Sequence, residues 1–169
     1  MPLTEVRFNN TNRAVEVVAS WRGDDGGILL NPSYQRGDVW GTIRRRNFIR
    51  SLLMGIPIPS LVVNQRMFAE GWNEDFRVAV IDGKQRITTI LMFLDGLLAV
   101  PAEWFHENHI DQQHEGLVRY GDLNKVGQRK FRSRNLPFAE ARVETEQQEA
   151  EIFELINFGG VPQGQSDLE

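Results

Sequence analysis

Between Thr42 and Gly55 the apolar residues Ile49, Leu52, Leu53 and Ile56 fall at i, i+3, i+4 and i+7, the spacing that lines one face of an α-helix. Gly55 supplies its stop. The next stretch, "IPIPSLVVNQ", changes period: Pro57 and Pro59 force extended backbone before the β-branched run at Leu61 to Val63, so a strand is expected. "FRVAVI" puts Phe76, Val78 and Val80 on one face and Ala79 and Ile81 on the other, which predicts a central strand covered on both sides. Helical spacing then returns at Ile87, Ile90, Leu91 and Leu94, closed by Asp95 and Gly96. Earlier, "RAVEVVASW" fits a helix or a strand equally, "RGDDGG" breaks it, and "GILLNP" reads as a short strand stopped by Pro32.

Later elements are less regular. "MFAEGWNED" reads as a hairpin or loop, and Leu97 to Asn135 as a short strand "LLAV", a loop around Trp104 and two short helices. "NLPFAEARV" is extended. Thr145 and Gln148 form a capping-box pair ahead of a helix whose buried side is Ile152, Phe153 and Ile156, with Gly159 and Gly160 closing it. The alternation of both periods predicts an α/β, mixed α+β fold: one domain over residues 1–169, with a small central sheet and flanking helices.

Composition narrows the class. At 41% hydrophobic and 25% charged, the chain is that of a folded globular protein, and 169 residues bury one substantial core. The absence of cysteine excludes disulfides, thiolate zinc sites and a cysteine nucleophile. The start "MPLTEVRFNNTNR" lacks a signal-peptide pattern and no apolar run nears the ~20 residues of a membrane span, so no membrane partner and a cytoplasmic location are expected. A net charge of −4 argues against a protein coated in positive charge, yet bases cluster at Arg44 to Arg50 and Arg129 to Arg134 while acids gather at Glu144 to Glu154.

The densest chemistry is "VIDGKQRITTI", Val80 to Ile90, where Asp82, Gly83, Lys84, Gln85 and Arg86 separate a strand from a helix. If the helix starts near Lys84, its first N–H groups point out at the strand end and favour an anion. Gly83 gives access to backbone, and Lys84 and Arg86 add positive charge. Asp82 beside a phosphate suggests Mg²⁺, or a base for a hydroxyl or water. The plainer reading makes Asp82 a helix cap, Gly83 a turn residue and the two bases surface charge. "NPSYQRGDVW" also lies between a strand and a helix; Tyr34 and Trp40 could stack on a base or pack the core, and Gln35 and Arg36 could bind phosphate or satisfy backbone. His106, His109 and His114 lack the further ligands of a zinc set.

Taken in order, "NPSYQRGDVW…RRNFIRSLLMGIPIPSLVVNQ", "VIDGKQRITTILMFLDG", "RKFRSRNLPFAEARV" and "EIFELINFGGVPQ" resemble the N-terminal domain of GmrSD-type restriction proteins, within the ParB/sulfiredoxin-like superfamily. The resemblance runs from about Gly27 to Gln163. It implies a domain that binds and hydrolyses a nucleoside triphosphate (ATP, GTP or CTP) with Mg²⁺, in systems that sense or cut modified phage DNA. The family motif is DGQQR, matched by Asp82, Gly83, Gln85 and Arg86; Tyr34, Gln35 and Arg36 match an earlier YQR, and Asn157 and Gly159 match its "IN.GG" segment, expected to be structural.

From the residues and the resemblance together, Asp82 and Arg86 are the expected catalytic pair, with Asp82 on Mg²⁺. Tyr34, Gln35, Arg36, Gly83, Lys84, Gln85 and Thr88 are expected at the phosphates, and Arg44, Arg45 and Arg46 at DNA. Lys84 departs from the family glutamine. The nuclease domain of the HNH type that usually follows is not legible in this chain, which resembles a standalone form. Three activities stay open: an NTPase acting on or sensing DNA; a kinase that phosphorylates a hydroxyl, such as a hydroxymethylated base; and a non-catalytic module that partners a separate nuclease.

Overall fold

Strand β3, Leu61–Gln65, is buried at every position, as expected for β-branched residues entered through prolines that hold the chain extended. It is the middle strand of a five-stranded mixed sheet in this computed structural model, which describes residues 3–22, 27–30, 32–35, 39–72 and 76–158. On one side β3 pairs antiparallel with β4, Val78–Asp82, with a register irregularity between Val62 and Val63. On the other it runs parallel to β7, Asn135–Ala141. The edges are β1, Asn9–Ala14, antiparallel to β7, and the two-residue β2, Ile28–Leu29, parallel to β4.

Side-chain alternation builds two cores. Leu61, Val63, Val78, Val80, Leu136 and Phe138 face one layer of helices: α1, Glu16–Ser20; α2, Thr42–Met54; α3, Lys84–Leu94; and α4, Lys125–Arg132. Val62, Ile81 and Ala141 face the other way, onto α5, Glu146–Phe158, and the N-terminal Leu3, Val6 and Phe8. The first core is larger; each of its fully buried phenylalanines, Phe93, Phe131 and Phe138, stabilises the fold by roughly 2 to 3 kcal/mol. A second small sheet, β5 Val100–Pro101 with β6 Leu117–Val118, sits among short 3₁₀ turns.

Several elements begin or end differently from their sequence pattern. "RAVEVVASW" is divided, with β1 ending at Ala14 and α1 starting at Glu16, so both periods were present in turn. Phe76 is 40% exposed and precedes β4. Ile56 is exposed too, because the left-handed Gly55 ends α2 before it; Arg45 and Phe48 complete the buried stripe instead. In α5 the Thr145–Gln148 capping box is present in both directions, but Ile156 is exposed and Glu149 takes its place inside. Between Leu97 and Asn135, α4 is the one α-helix among the described residues. Gly159 and Gly160 lie outside the described residues. Among the described residues no helix is long and apolar enough to cross a membrane.

Candidate active site

The chain passes from β4 to α3 through Gly83, whose φ of 106° is a left-handed conformation that disfavours any side chain. A Cβ there would also overlap Leu61 Cδ2 and lie 3.2 Å from Arg86 Nη2. The glycine is thus required by packing behind the turn. Gly83 is itself the N-cap residue of α3, and no side chain caps this helix end. The capping role for Asp82 is therefore corrected: its Oδ2 lies 3.3 Å from Arg86 Nη2, one helical turn on. The N–H groups of Lys84, Gln85 and Arg86 precede the first intrahelical bond, from Ile87 N–H to the Gly83 carbonyl at 2.9 Å.

Arg86 folds back against the loop ahead of β3. Its Nη1 donates to the Pro59 carbonyl and its Nη2 to the Ser60 carbonyl at 3.5 Å, besides Asp82. Burial pushes the Arg86 guanidinium below its ordinary range, partly opposed by the Asp82 charge. Arginine stays protonated under such a shift, so the pair is a charged one in a half-shielded place.

A second layer of bonds fixes the loop opposite. Gln35 Nε2 donates to the carbonyls of Val80 at 2.9 Å and Ile81 at 2.6 Å, tying the "SYQ" segment to β4. Gln85 Oε1 accepts from the Trp40 N–H at 3.2 Å and from Arg45 Nη2 at 2.9 Å. Arg45 also donates to Thr89 Oγ1 at 2.7 Å and, through Nε, to the Trp40 carbonyl at 3.2 Å. The second glutamine of the motif thus holds the loop that leads into α2.

These contacts leave a cleft of about 310 Å³ lined by Gln35, Trp40, Arg44 and the whole run Asp82 to Arg86, with Phe153 and Asn157 of α5 as the far wall. Five expected residues of the run, Asp82, Gly83, Lys84, Gln85 and Arg86, meet there with Gln35. Two others do not. Tyr34 turns into the α5 core, where its hydroxyl donates to Glu149 Oε1 at 3.2 Å, and Thr88 is not among the cleft residues. Arg36 lies outside the described residues.

The three consecutive arginines of α2, Arg44, Arg45 and Arg46, diverge because successive helical residues turn by about 100°. Arg44 lies over the Trp40 ring at 4.5 Å and lines the cleft. Arg45 is buried at 6% exposure, which corrects its assignment to an exposed DNA-contacting face. Arg46 donates to the Ala99 carbonyl at 2.8 Å, away from the cleft.

The largest feature missed in the sequence is a buried network beneath α5. Glu149, fully buried, accepts two bonds from Arg66, at 2.9 Å and 2.6 Å, and one from Asn64 Nδ2 at 2.7 Å. Arg66 stacks on the Trp72 ring at 3.9 Å. Glu149 sits three and four residues before Ile152 and Phe153, so its place on the buried face was readable, but its partners lie more than 80 residues away.

Asp82 is the single carboxylate lining the cleft among the described residues, and no group of three or more potential metal ligands exists among them. One carboxylate fits Mg²⁺ only in the manner of an ion shared with substrate phosphates.

A family model described as GmrSD restriction endonuclease, N-terminal domain, matches residues 20–168. That span holds the cleft and every residue named in it. No curated protein and no solved structure matches the chain.

Proposed function

The chain belongs to the GmrSD restriction endonuclease N-terminal domain family, and from that premise we propose that its cleft binds a nucleoside triphosphate and hydrolyses it as part of a response to modified phage DNA. One observation carries this reading: the N-terminus of α3, Lys84, Arg86 and Arg44 bring positive potential to one recess that contains, among the described residues, a single carboxylate, Asp82. A triphosphate is the small molecule whose charge and length suit that arrangement.

In this reading the phosphates lie over the N–H groups at the start of α3, and Lys84 and Arg44 balance their charge. Lys84, in place of the family glutamine, is a point charge on a flexible stem and suits a terminal phosphate. Asp82 has two tasks open to it, accepting a proton from the attacking water and sharing a Mg²⁺ with the phosphates. When bound, that ion neutralises charge developing on the transferred group. Arg86 holds Asp82 in place through its 3.3 Å contact. Gln35 and Gln85 orient the loops rather than the substrate, since their side chains bond to protein backbone and to Arg45.

A second reading, nucleotide binding without turnover beside a separate nuclease, is favoured by the Asp82–Arg86 pair, because a carboxylate oxygen that already accepts from a guanidinium is less free to accept from an attacking water. The kinase alternative uses the same cleft with a DNA hydroxyl in place of water. Incubation with γ-labelled ATP, GTP and CTP and Mg²⁺, with and without modified DNA, separates the three. Free phosphate that disappears in Asp82→Asn supports hydrolysis, label on DNA supports the kinase, and binding with neither supports the module. No nucleotide binding under any of these conditions sinks all three.

A further inference from the structure

The prolines that lead into β3 also limit its pairing. Pro57 and Pro59 have no N–H to give to a neighbouring strand, and the Pro59 and Ser60 carbonyls accept from Arg86 instead. The parallel ladder between β3 and β7 therefore starts only at Leu61 and Phe138, and residues 135–137 run past it with β1 as their strand partner. A recess of about 380 Å³ opens at this end of the sheet, between the last turn of α2, residues 55–58 and the start of β7. Small-ligand pockets begin at about 300 Å³, so the space is of the right order. The recess and the nucleotide cleft share no residue.

Its lining has two chemistries. Leu52, Ile56, Pro57, Ile58 and Pro137 give apolar walls, and Ile56 is exposed there although its helical spacing placed it inside. Asn12 pairs with Pro137 across β1 and β7, so Asn12, Asn135 and Pro137 share one face of the sheet. Arg134 is the single charged residue of the lining among the described residues. Its Nη2 donates to the Leu53 carbonyl at 2.7 Å, and that bond caps the end of α2. The cap uses one of five N–H groups. Among the described residues Nε is buried without an acceptor, no acceptor meets Nη1, and no carboxylate lies within ion-pair distance of the guanidinium. A half-buried guanidinium whose charge the protein leaves unmatched attracts an anion.

We propose that this recess binds a small carboxylic acid with a branched apolar body, its carboxylate on Arg134 and its alkyl group against Ile56, Ile58 and Pro137. One cation among apolar walls balances one negative charge, which favours a carboxylate over a phosphate carrying two. The exposed amides of Asn12 and Asn135 can donate to the same carboxylate without adding charge. A wholly apolar guest leaves the guanidinium uncompensated, and a small inorganic anion leaves the apolar walls in water. The same two groups, a carboxylate and a branched alkyl chain, also end a peptide whose last residue is leucine. The inference does not depend on the reading of the nucleotide cleft.

The full chain is titrated with isocaproate and, separately, with uncharged isocaproamide, following the backbone amide signals of Gly55, Ile56 and Asn135 by nitrogen–proton NMR. Isocaproate is expected to shift these signals and to bind about tenfold or more tightly than the amide, the worth of a charge-assisted hydrogen bond. Asn135→Asp keeps the shape of an exposed side chain and sets a negative charge in the recess beside Arg134. It is expected to weaken isocaproate by about tenfold or more and to leave isocaproamide and the melting temperature unchanged. Arg134→Gln is expected to lose the acid as well, with some stability lost through the Leu53 bond. A short peptide ending in leucine separates the sources: shifts by isocaproate alone assign the recess to a free acid, and shifts by both extend it to a chain end. No shift by isocaproate up to about 10 mM, equal binding of acid and amide, or wild-type affinity for the acid in a folded Asn135→Asp overturns the proposal.

Discussion

Gly83 is the most tightly constrained single residue of the cleft. Its positive φ and the closeness of Leu61 and Arg86 mean that Gly83→Ala meets both backbone strain and overpacking, an expected loss of about 2 to 4 kcal/mol in urea unfolding. An Ala variant as stable as the wild type contradicts that account of the turn. Asp82→Asn is the contrasting case: Asp82 is half-buried at a strand end and outside both cores, so stability is expected to change by under ~1 kcal/mol while phosphate release is abolished. Undiminished turnover in this variant removes Asp82 from the chemistry. The residue types of the motif were legible in the chain, and so was their position between strand and helix. Their bonds were not: nothing in the letters says that Arg86 spends its donors on Pro59, Ser60 and Asp82, or that Gln85 grips the loop before α2.

At the scale of elements, α5 decides the shape of the cleft, and one ion pair decides where α5 sits. Glu149→Gln removes the buried charge to which Arg66 and Asn64 donate and is expected to cost about 3 to 5 kcal/mol in denaturant unfolding. Nucleotide affinity should fall with it, since Phe153 and Asn157 move with the helix. A stable variant with an intact cleft shows instead that apolar packing alone seats α5. Tyr34 adds a pH signature. Burial, and then the Glu149 charge, push its hydroxyl well above the ordinary phenol value of about 10. Above that pH the unfolded chain releases the proton and the folded one keeps it, so stability falls as pH rises through the alkaline range. Tyr34→Phe is expected to flatten that fall, measured as unfolding free energy between roughly pH 9 and 11. An unchanged slope assigns the alkaline loss elsewhere.

For the molecule as a whole, β3 and β4 are each paired on both sides and enclosed by both cores, whereas β2 has two residues at an edge. Native-state hydrogen exchange is expected to be slowest in β3 and β4 and fast in β2. Fast exchange throughout β3 is incompatible with its central place. The sequence by itself determined the periods, hence most of the central strands and helices, the stop at Gly55 that ends α2, and the motif at the start of α3. Each of these depends on residues within one or two turns of each other, where spacing and conformational preference act directly. Only the tertiary structure decided that Arg44, Arg45 and Arg46 go to three different places, that Tyr34 turns away from the cleft, and that Asn157 and Phe153 form its wall. Those outcomes depend on strand order and on buried pairs such as Arg66–Glu149, formed between residues far apart in the chain, for which no local pattern exists.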